Sequence, residues 1–203
     1  TTDLSNISDL FFEQVEEVKK QIIDLPKEFI WLGHMRLPNA AKESLEYLTD
    51  RGITKEDIKY YKIGACFKGE YRRRIIFPSF DKEGNCNYFI AGSYKDDWLK
   101  YKNPPATKNI IFNDLLIDWN KPITIVEGVF DSIKAENSIP ILGSTLNTKS
   151  ILFQKLVERQ PKIYIGLDDD VLTKSLDVIN SMISYGLEVD HMDTSEIEDL
   201  GSL

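Results

Sequence analysis

From Pro122 onward, short apolar segments alternate with amphipathic ones, and this alternation most narrows the folds open to the chain. The apolar segments have the length and β-branched content of strands, and the segments between them have helical spacing. The strand segments are ITIV, IPIL, IYIG and LEV, and the helical ones are VFDSIKAEN, NTKSILFQKLVERQ and VLTKSLDVINSMISYG. Because continuous apolar strands separated by helices pair in parallel, we predict a doubly wound α/β sheet with flanking helices. Ligands bind such sheets beyond the carboxyl ends of the strands.

Acidic residues follow two of these predicted strands. Glu127 comes after ITIV, and Asp168, Asp169 and Asp170 come after IYIGL. If the two strands are neighbours, these carboxylates meet at one edge of the sheet, where they repel one another unless cations are bound. Hard oxygen ligands of this kind suit Mg²⁺ or Mn²⁺.

Two interpretations of the three aspartates remain open. On an extended segment alternate residues share a face, so Asp168 and Asp170 would point together and Asp169 would face away. Alternatively, Asp170 caps the next helix and the other two face water. The residues alone give the two interpretations about equal weight.

A mixed α and β region precedes the predicted parallel sheet. Helical patterns cover PNAAKESLEYLTDRG, with Gly52 as a stop signal, and TKEDIKYY, where Thr54 and Asp57 resemble a capping box. The period then changes to two, and RRRIIFPSFDKEGNCNYFIAGSY predicts a β-hairpin. The segment LKYKNPPATKNIIFND predicts a loop and a short strand, since its prolines exclude a central strand.

The first residues predict one further helix. Apolar residues recur from Leu4 to Ile22 at close to helical spacing, and Pro26 ends the pattern. Its polar face is mostly acidic, which argues against a membrane-surface helix, so we expect a docking helix. Whether its apolar face packs on its own domain or on another chain is left open.

The charge of the chain is unevenly distributed. Its net charge is −8, yet the stretch from Lys62 to Lys108 holds ten basic and five acidic residues. A basic middle beside an acidic C-terminal part fits a cleft that holds both polyanions and cations. Charge alone equally favours an ordinary solvated surface.

Cysteine, histidine and hydropathy patterns exclude several classes of protein. Two cysteines, Cys66 and Cys86, make no disulfide framework, and with only His34 and His191 beside them no zinc-ribbon spacing exists. We expect all four to be ordinary packed or surface side chains. No apolar stretch approaches the length of a membrane span and no secretory signal opens the chain, so we expect a cytoplasmic protein, in the host cell if a phage encodes it. The chain begins at Thr1, which leaves room for an upstream segment.

Three C-terminal stretches resemble, in order and spacing, the Toprim domain. ITIVEGVFDSIKA has a Glu-Gly strand end with an Asp four residues after the Glu, ILGSTLNT has a Gly-containing strand end, and IYIGLDDDVL has an Asp-x-Asp. Upstream, RRRIIFPSFDKEGN resembles the Arg-Ile-x-Phe-Pro hairpin of DnaG-type primases, and KYKNPPAT resembles their Lys-Tyr-x-Asn-x-Pro loop. YLTDRGITKEDIKYYKIGAC resembles the helical lead-in of the same family. The resemblance covers roughly residues 40–200 and is nearest to small phage primases.

The resemblance implies the RNA-polymerase core of a phage-like DnaG-type DNA primase. Its fold would be a Toprim-type parallel sheet with flanking helices, preceded by a smaller mixed α+β primase subdomain. The implied units are a helical docking segment at 1–37, the N-terminal subdomain of the primase core at 38–119 and the Toprim domain at 120–203. The implied activity is DNA-directed synthesis of RNA primers from ribonucleoside triphosphates on a single-stranded DNA template. Mg²⁺ or Mn²⁺, as two ions, would serve as cofactor, and no zinc is expected in this chain.

The resemblance also assigns roles to individual residues. Glu127, Asp168 and Asp170 would hold the metal ions and carry the catalysis, and Glu127 could instead, or also, accept the proton. Gly128 and Asp131 would support them, Asp131 by orienting neighbouring groups and Gly128 by close backbone approach or as a plain turn. Arg74, Lys100 and Asn103 would contact nucleotide or template, and Arg72, Arg73 or Lys95 could substitute for a missing arginine.

Two departures from the family pattern bear on this function. Gly92 stands about where the family commonly has an Arg at the end of the hairpin's second strand. MDTSEIEDLG offers Glu196, Glu198 and Asp199 in place of a clear third acidic motif, so no single ligand is assigned there. A Toprim nuclease or a non-catalytic primase-like binding module therefore remains as an alternative. A topoisomerase would need a nucleophilic tyrosine in further domains.

Because the net charge is negative and no zinc ribbon is present, we expect weak DNA binding and delivery of template by a replicative helicase or an upstream zinc-ribbon domain.

Overall fold

The computed structural model describes residues 20–142 and 147–192, with only the backbone given at residues 169–171 and 174. Two four-stranded sheets follow one another along the chain. The first is antiparallel with strand order β1-β2-β3-β4, and the second is parallel with order β6-β5-β7-β8. The mixed N-terminal region and the parallel C-terminal sheet predicted from the sequence are both confirmed.

The antiparallel sheet is built around a long hairpin. Its strands are β1 Phe29–Trp31, β2 Gly64–Cys66, β3 Arg74–Phe80 and β4 Cys86–Ser93. The hairpin turn forms because the Asp81 carboxylate accepts hydrogen bonds from the N–H groups of Glu83 and Asn85, and Gly84 takes the left-handed conformation with φ of 83°. Strand β3 is buried on both faces, since all residues from Arg74 to Ser79 are buried.

Two helices lie between β1 and β2, and their ends follow the local sequence. They are α1 Ala41–Asp50 and α2 Lys55–Tyr60. Gly52, with φ of 74°, reverses the chain after α1. The predicted capping box is confirmed, because the Asp57 N–H donates to Thr54 Oγ1 and the Asp57 carboxylate accepts from the Thr54 N–H.

The parallel sheet has helices between its strands. Its elements are β5 Ile123–Val126, α3 Val129–Lys134, β6 Ser138–Pro140, α4 Ile151–Arg159, β7 Ile163–Gly166, α5 Asp169–Ser184 and β8 Val189–His191. The isoleucines of β5 and β7 are fully buried, as their continuous apolar sequences predict, and each contributes about 1.5–3 kcal/mol to folding.

Helix α3 joins the two halves of the protein. Val129 is buried in the cluster that packs on the antiparallel sheet, together with residues of α1 and α2. The ring of Phe130 lies 5.1 Å from that of Phe77 and 6.4 Å from that of Tyr47, both edge-on. In the other direction, Trp119 is buried in the core of the parallel sheet. The cores therefore interlock across residue 120, where the sequence suggests a domain boundary.

The helix predicted from the apolar spacing between Leu4 and Ile22, with Pro26 ending the pattern, is wrong for its described part. Residues 20–26 form no helix, and the segment before them lies outside the described residues. The Ile23 N–H donates to the Cys86 carbonyl at 2.9 Å, and Ile23 and Leu25 cover one face of the antiparallel sheet. Exposure alternates along this segment, and Ile22 is 60% exposed. The segment is therefore extended and not helical, because alternate residues pack on the face of the sheet.

The short strand expected within LKYKNPPATKNIIFND is also wrong. Residues 102–113 contain no strand, and Tyr101 makes one isolated bridge to Gly92. Asn113 adopts a left-handed φ of 53°, accepts from the Phe80 N–H, and donates its own N–H to Ser79 Oγ. A short 3₁₀ turn, Asp114–Leu116, follows. Side-chain hydrogen bonds to β3 thus replace the strand pairing that the apolar residues suggested.

No helix in the described ranges is both long and apolar enough to cross a lipid bilayer.

Candidate active site

Two of the predicted acidic residues lie at the same edge of the parallel sheet. Strands β5 and β7 are neighbours, with Val126 paired to Gly166. Glu127 directly follows β5, and Asp168 comes two residues after Gly166, so both lie beyond the carboxyl ends of adjacent strands. Glu127 is half-buried and Asp168 is exposed. This edge is the position where parallel sheets bind ligands.

The expectation that Asp168, Asp169 and Asp170 form an extended segment is wrong. Asp168 has extended dihedral angles as the N-cap of α5, and the helix begins at Asp169. Successive helical residues are rotated by about 100°, so alternation does not place Asp168 and Asp170 on one face or turn Asp169 away. The alternative in which Asp170 is the capping residue is wrong as well, since Asp168 holds that position.

Helix geometry gives another reason for an acidic cluster here. The first turn of a helix presents unpaired N–H groups and the positive end of its dipole, which stabilise nearby carboxylates by about 0.3–1 kcal/mol each. Asp169 and Asp170 occupy the first two helical positions. The start of α5 therefore favours negative charge at this edge of the sheet.

The donor set at this edge fits a hard divalent ion. Glu127 and Asp168 supply carboxylate oxygens from adjacent strand ends, and the backbone of Asp170 lies in the first turn beside them. Within the described side chains, which do not include that of Asp170, no group of three His, Cys, Asp or Glu residues is arranged to hold a metal. Of the three predicted ligands, the structure therefore describes the side chains of Glu127 and Asp168 at this edge.

Asp131 fixes the peptide that follows Glu127. Its carboxylate accepts a hydrogen bond from the Gly128 N–H at 3.0 Å. Gly128 has φ of −121°, which any residue can adopt, but a Cβ there would come within 3.0 Å of the same carboxylate oxygen. A glycine is therefore favoured at position 128 because a side chain would crowd the Asp131 carboxylate. The backbone conformation itself does not require glycine.

Arg74 lies inside the protein, where it holds a loop. Its side chain is 5% exposed, and its guanidinium donates to the Asp97 carboxylate at 3.0 Å and to the Leu99 carbonyl at 2.9 Å. A longer bond of 3.3 Å reaches the Lys100 carbonyl. We expected Arg74 to contact nucleotide or template directly, but in this structure its donors are directed to the loop.

Asn103 is tied to the hairpin in a similar way. Its carbonyl oxygen accepts from the Ala91 N–H at 3.2 Å, and its side chain also bonds to the Tyr88 hydroxyl. Lys100, between the Arg74 and Asn103 anchors, is exposed. The segment 97–103 is therefore a loop held at both ends that presents Lys100 to solvent, and we call it the basic loop.

Two further predicted arginines lie beside this loop. Arg72 and Arg73 are exposed. Arg73 has φ of 61°, a left-handed conformation that is uncommon outside glycine. It is held there because its N–H donates to Cys66 and its carbonyl accepts from Tyr94. The Arg73 backbone is thus held between β2 and the residue that follows β4.

Tyr101 is the residue of the basic loop nearest to the acidic edge among those with a described interaction there, and the sequence did not point to it. Its backbone bridges Gly92, and its ring carbons would lie 3.4 Å from a Cβ built at that glycine. Partial burial raises the pKa of the Tyr101 hydroxyl, and among the nearby groups Tyr47, Asp131 and Glu127 raise it further while Arg51 opposes them. The hydroxyl therefore lies within electrostatic range of Glu127. Tyr101 is the tyrosine of the KYKNP segment, but nothing in the sequence distinguishes an uncharged aromatic residue in a loop from an ordinary packed one.

Arg51 is a second residue that the sequence analysis did not select. It follows α1, and its guanidinium carbon lies 5.2 Å from the centre of the Phe130 ring and 5.5 Å from that of Tyr47. Its positive charge thus lies near Tyr101, beside the helix that follows Glu127. Arg51 belongs to the YLTDRG segment, whose pattern predicts a helix and its end but gives no indication that Arg51 lies near the acidic edge.

Comparison with known proteins identifies the fold. No protein-family model and no curated protein sequence matches the chain. Among solved structures, the Aquifex aeolicus primase with its zinc-binding and RNA polymerase domains matches 79% of this chain with a TM-score of 0.64 and 19% identity. A DNA primase domain from Pseudomonas aeruginosa matches 78% with a TM-score of 0.62 and 20% identity. A bacteriophage T7 complex containing gp4 primase domains matches 72% with a TM-score of 0.53 and 16% identity.

The matched regions cover different shares of these proteins. The chain spans 55% of the Aquifex chain, 65% of the Pseudomonas chain and 78% of the T7 chain. A structure described as the DnaG catalytic core is matched over 66% of its length, with a TM-score of 0.62. The antiparallel hairpin region followed by the four-stranded parallel sheet is therefore the fold of a DnaG-type primase core.

Proposed function

We propose that this chain is the catalytic core of a DNA primase, which joins ribonucleotides on a single-stranded DNA template. The observation that carries the proposal is the placement of Glu127 and Asp168 at adjacent strand ends of this fold, with Tyr101 and the basic loop beside them. A match to a catalytic domain bound to single-stranded DNA, with a TM-score of 0.62, supports the choice of template. The T7 complex, which holds an RNA/DNA hybrid and dTTP, supports nucleotide as the second substrate.

In the proposed reaction a ribose 3′-hydroxyl attacks the α-phosphate of a ribonucleoside triphosphate. A bond forms between the 3′ oxygen and phosphorus, the bond to the bridging oxygen breaks, and pyrophosphate leaves. Glu127, Asp168 and Asp170 would hold Mg²⁺ or Mn²⁺, two ions by the family resemblance, and such ions stabilise charge on the attacking and departing oxygens. Glu127 is the candidate acceptor for the hydroxyl proton, either directly or through water.

The remaining residues position the reactants. Asp131 holds the Gly128 peptide and hence the backbone beside Glu127. Lys100 neutralises phosphate charge as a point cation, and Arg72 and Arg73 contact the template backbone. Arg74 and Asn103 act through the loop that they hold, because their polar atoms bond to it or to the hairpin.

The negative net charge implies that the core alone binds template weakly. We propose that a replicative helicase or an upstream zinc-ribbon domain raises the local template concentration. The segment from Leu4 to Ile22 is the candidate docking element, although all of it before Lys20 lies outside the described residues. A primase acts on replicating DNA, so this proposal also places the protein in the cytoplasm of a bacterial host.

A template-extension assay tests the function. Labelled ribonucleotides, single-stranded DNA and Mg²⁺ are incubated with the chain, with and without the helicase of its source. We expect RNA products that depend on template and metal, that are lost in Glu127→Gln and that persist in Glu136→Gln. Glu136 is an exposed acid that pairs with Lys121 just before β6, at the opposite edge of the sheet. Cleavage of the DNA would instead indicate a Toprim nuclease, and binding without any chemistry would indicate a non-catalytic module.

A further inference from the structure

Trp98 is unusual among the tryptophans of this protein. Its side chain is 94% exposed, whereas Trp119 is 8% exposed and Trp31 is half-buried against Lys62 and His34. Tryptophan is highly buried on average, because its large apolar ring is costly to leave in water. A fully exposed tryptophan in a fixed position therefore suggests a ligand for its ring.

The loop around Trp98 is held firmly. Arg74 bonds to the residues on both sides, namely the Asp97 carboxylate and the Leu99 carbonyl. The Ser93 N–H donates to the Lys100 carbonyl at 2.8 Å, which closes the base of the loop. Because the backbone is already fixed, binding through the Trp98 ring loses little conformational entropy.

The surroundings of Trp98 favour nucleic acid over a protein partner. Lys95, Asp96 and Lys100 next to it are exposed and charged, with Lys95 paired to Glu43 at 2.8 Å, so the ring does not belong to an apolar patch of the kind that protein hot spots occupy. The Arg73 carbonyl pairs with the Tyr94 N–H, which places the exposed Arg72 and Arg73 at the foot of this loop. An aromatic ring beside cations is the arrangement that binds single strands, with bases stacked on the ring and phosphates near the cations.

The position of the ring relative to the acidic edge fits the same ligand. Tyr101 lies three residues after Trp98, and it lines one pocket with Lys100 and with Phe130 of α3, the helix that begins two residues after Glu127. A strand stacked on Trp98 would therefore continue along the basic loop toward the acids. Bases in a duplex are already stacked on each other, so the ring selects unpaired bases.

We propose that Trp98 is a stacking platform for an unpaired nucleobase of the strand that enters the acidic edge. The inference rests on the proposed function for the identity of that strand. Arg74 and Asp97 act as positioning residues for the platform.

Binding of a short oligo(dT) at low ionic strength tests the inference, with affinity measured by anisotropy of a labelled oligonucleotide and stacking by quenching of tryptophan fluorescence. We expect Trp98→Ala to weaken oligo(dT) binding about tenfold or more, and Trp98→Tyr to retain most of the affinity while losing the quenching signal. Met35→Ala is the matched control, because Met35 is a fully exposed apolar side chain outside this loop, and it should leave binding unchanged. A parallel titration with ATP shows whether the base comes from the template or from a free nucleotide.

Several outcomes would overturn the inference. They are an oligo(dT) affinity that is equal in the wild type and Trp98→Ala, a Trp98→Ala defect confined to ATP binding, or no detectable oligo(dT) binding by the wild type. The proposed function fails separately, if the wild type binds and quenches but makes no RNA. Retained primer synthesis with unchanged binding in Trp98→Ala would refute the stacking role alone.

Discussion

Arg74 and Asp97 form an ion pair of 3.0 Å in which the guanidinium is 5% exposed and the carboxylate 33% exposed. A cation expected to face phosphate instead closes the loop that carries Lys100 and Trp98. Arg74→Ala should lower the free energy of unfolding by about 1–3 kcal/mol, because Asp97 and two carbonyls lose their donor. Urea unfolding measures this loss.

A double-mutant cycle separates the loop role from direct phosphate contact. If Arg74 acts through Asp97, then Arg74→Ala, Asp97→Ala and the double variant should raise the ribonucleotide KM to similar extents. A higher KM in Arg74→Ala with an unchanged KM in Asp97→Ala would show instead that the guanidinium contacts the substrate.

Asp168→Asn should weaken Mn²⁺ binding and abolish nucleotide transfer while the fold remains intact. The reason is that the amide keeps the N-cap geometry but loses the charge that a divalent ion needs. Calorimetric titration with Mn²⁺ and far-UV circular dichroism measure the two effects, and the apo protein should become more stable if carboxylate repulsion is relieved. Full activity in this variant would remove Asp168 from the site.

Asp169→Ala and Asp170→Ala distinguish the helix effect from metal binding. Both residues are in the first turn of α5, so either change should cost about 0.3–1 kcal/mol of stability. Only the loss of a metal ligand should also reduce Mn²⁺ affinity, and we expect that for Asp170→Ala. Equal Mn²⁺ affinities in the two variants would contradict the assignment of Asp170.

Asp131→Ala should lower kcat more than it raises KM, because the Gly128 N–H loses its acceptor and Glu127 loses its fixed backbone. Asp131→Asn keeps an acceptor oxygen and should restore much of the activity. Steady-state kinetics of the two variants is the measurement. A defect of equal size in both would point to the charge of Asp131 and not to its hydrogen bond.

Lys100→Ala should weaken single-stranded DNA binding and make it less sensitive to salt. Loss of one phosphate contact reduces the slope of log K against log salt by about 0.7 for a single strand. Lys121→Ala is the control, because Lys121 is exposed at the opposite edge of the parallel sheet and pairs with Glu136. Identical slopes in the two variants would make Lys100 an ordinary surface residue.

The protein should lose stability at alkaline pH. Burial raises the pKa of the Cys66 thiol from its ordinary 9.0 to about 12, and the charge of Glu28 adds to the effect. Burial likewise raises the pKa of Tyr61 to about 12. Both groups are held neutral in the folded state, so their contribution is complete below the unfolded pKa and is lost as pH rises toward 12.

Urea unfolding between about pH 8 and pH 11 measures this dependence. Cys66→Ala should flatten the slope without removing it, since Tyr61 still titrates. An unchanged slope in Cys66→Ala would mean that the thiol ionises equally easily in both states.

The sequence correctly predicted the structural elements that depend on residues close together in the chain or on a regular spacing of apolar residues. The parallel strands follow from continuous isoleucine-rich segments, and the Thr54 capping box needs residues only three apart. The roles of Arg74 and Trp98 could not be predicted in this way. Arg74 is buried because its hydrogen-bond acceptors lie more than twenty residues further along the chain. The same hydrogen bonds hold the loop that carries Trp98, so its ring remains exposed. Charge in a sequence shows that an arginine needs partners, but not whether those partners belong to the protein or to a ligand.

The same limit explains the errors at Asp168 and at the N-terminus. A run of three aspartates fits both a strand end and a helix start, and α5 begins at Asp169, two residues before the predicted helix. Residues 20–26 have apolar side chains that fit either period, and contact with the antiparallel sheet selected the period of two.

The short helix α3 has a consequence for how this protein can vary over evolution. Val129 and Phe130 belong to the parallel half by chain connection but pack into the antiparallel half, and Glu127 lies immediately before them. If the parallel half were exchanged for that of a related protein, the new half would fold onto the antiparallel half only if its residue at position 130 fitted the residues at 47 and 77. We expect these positions to covary with position 130, so that the segment that carries the acidic edge and the residues that receive Phe130 are inherited together.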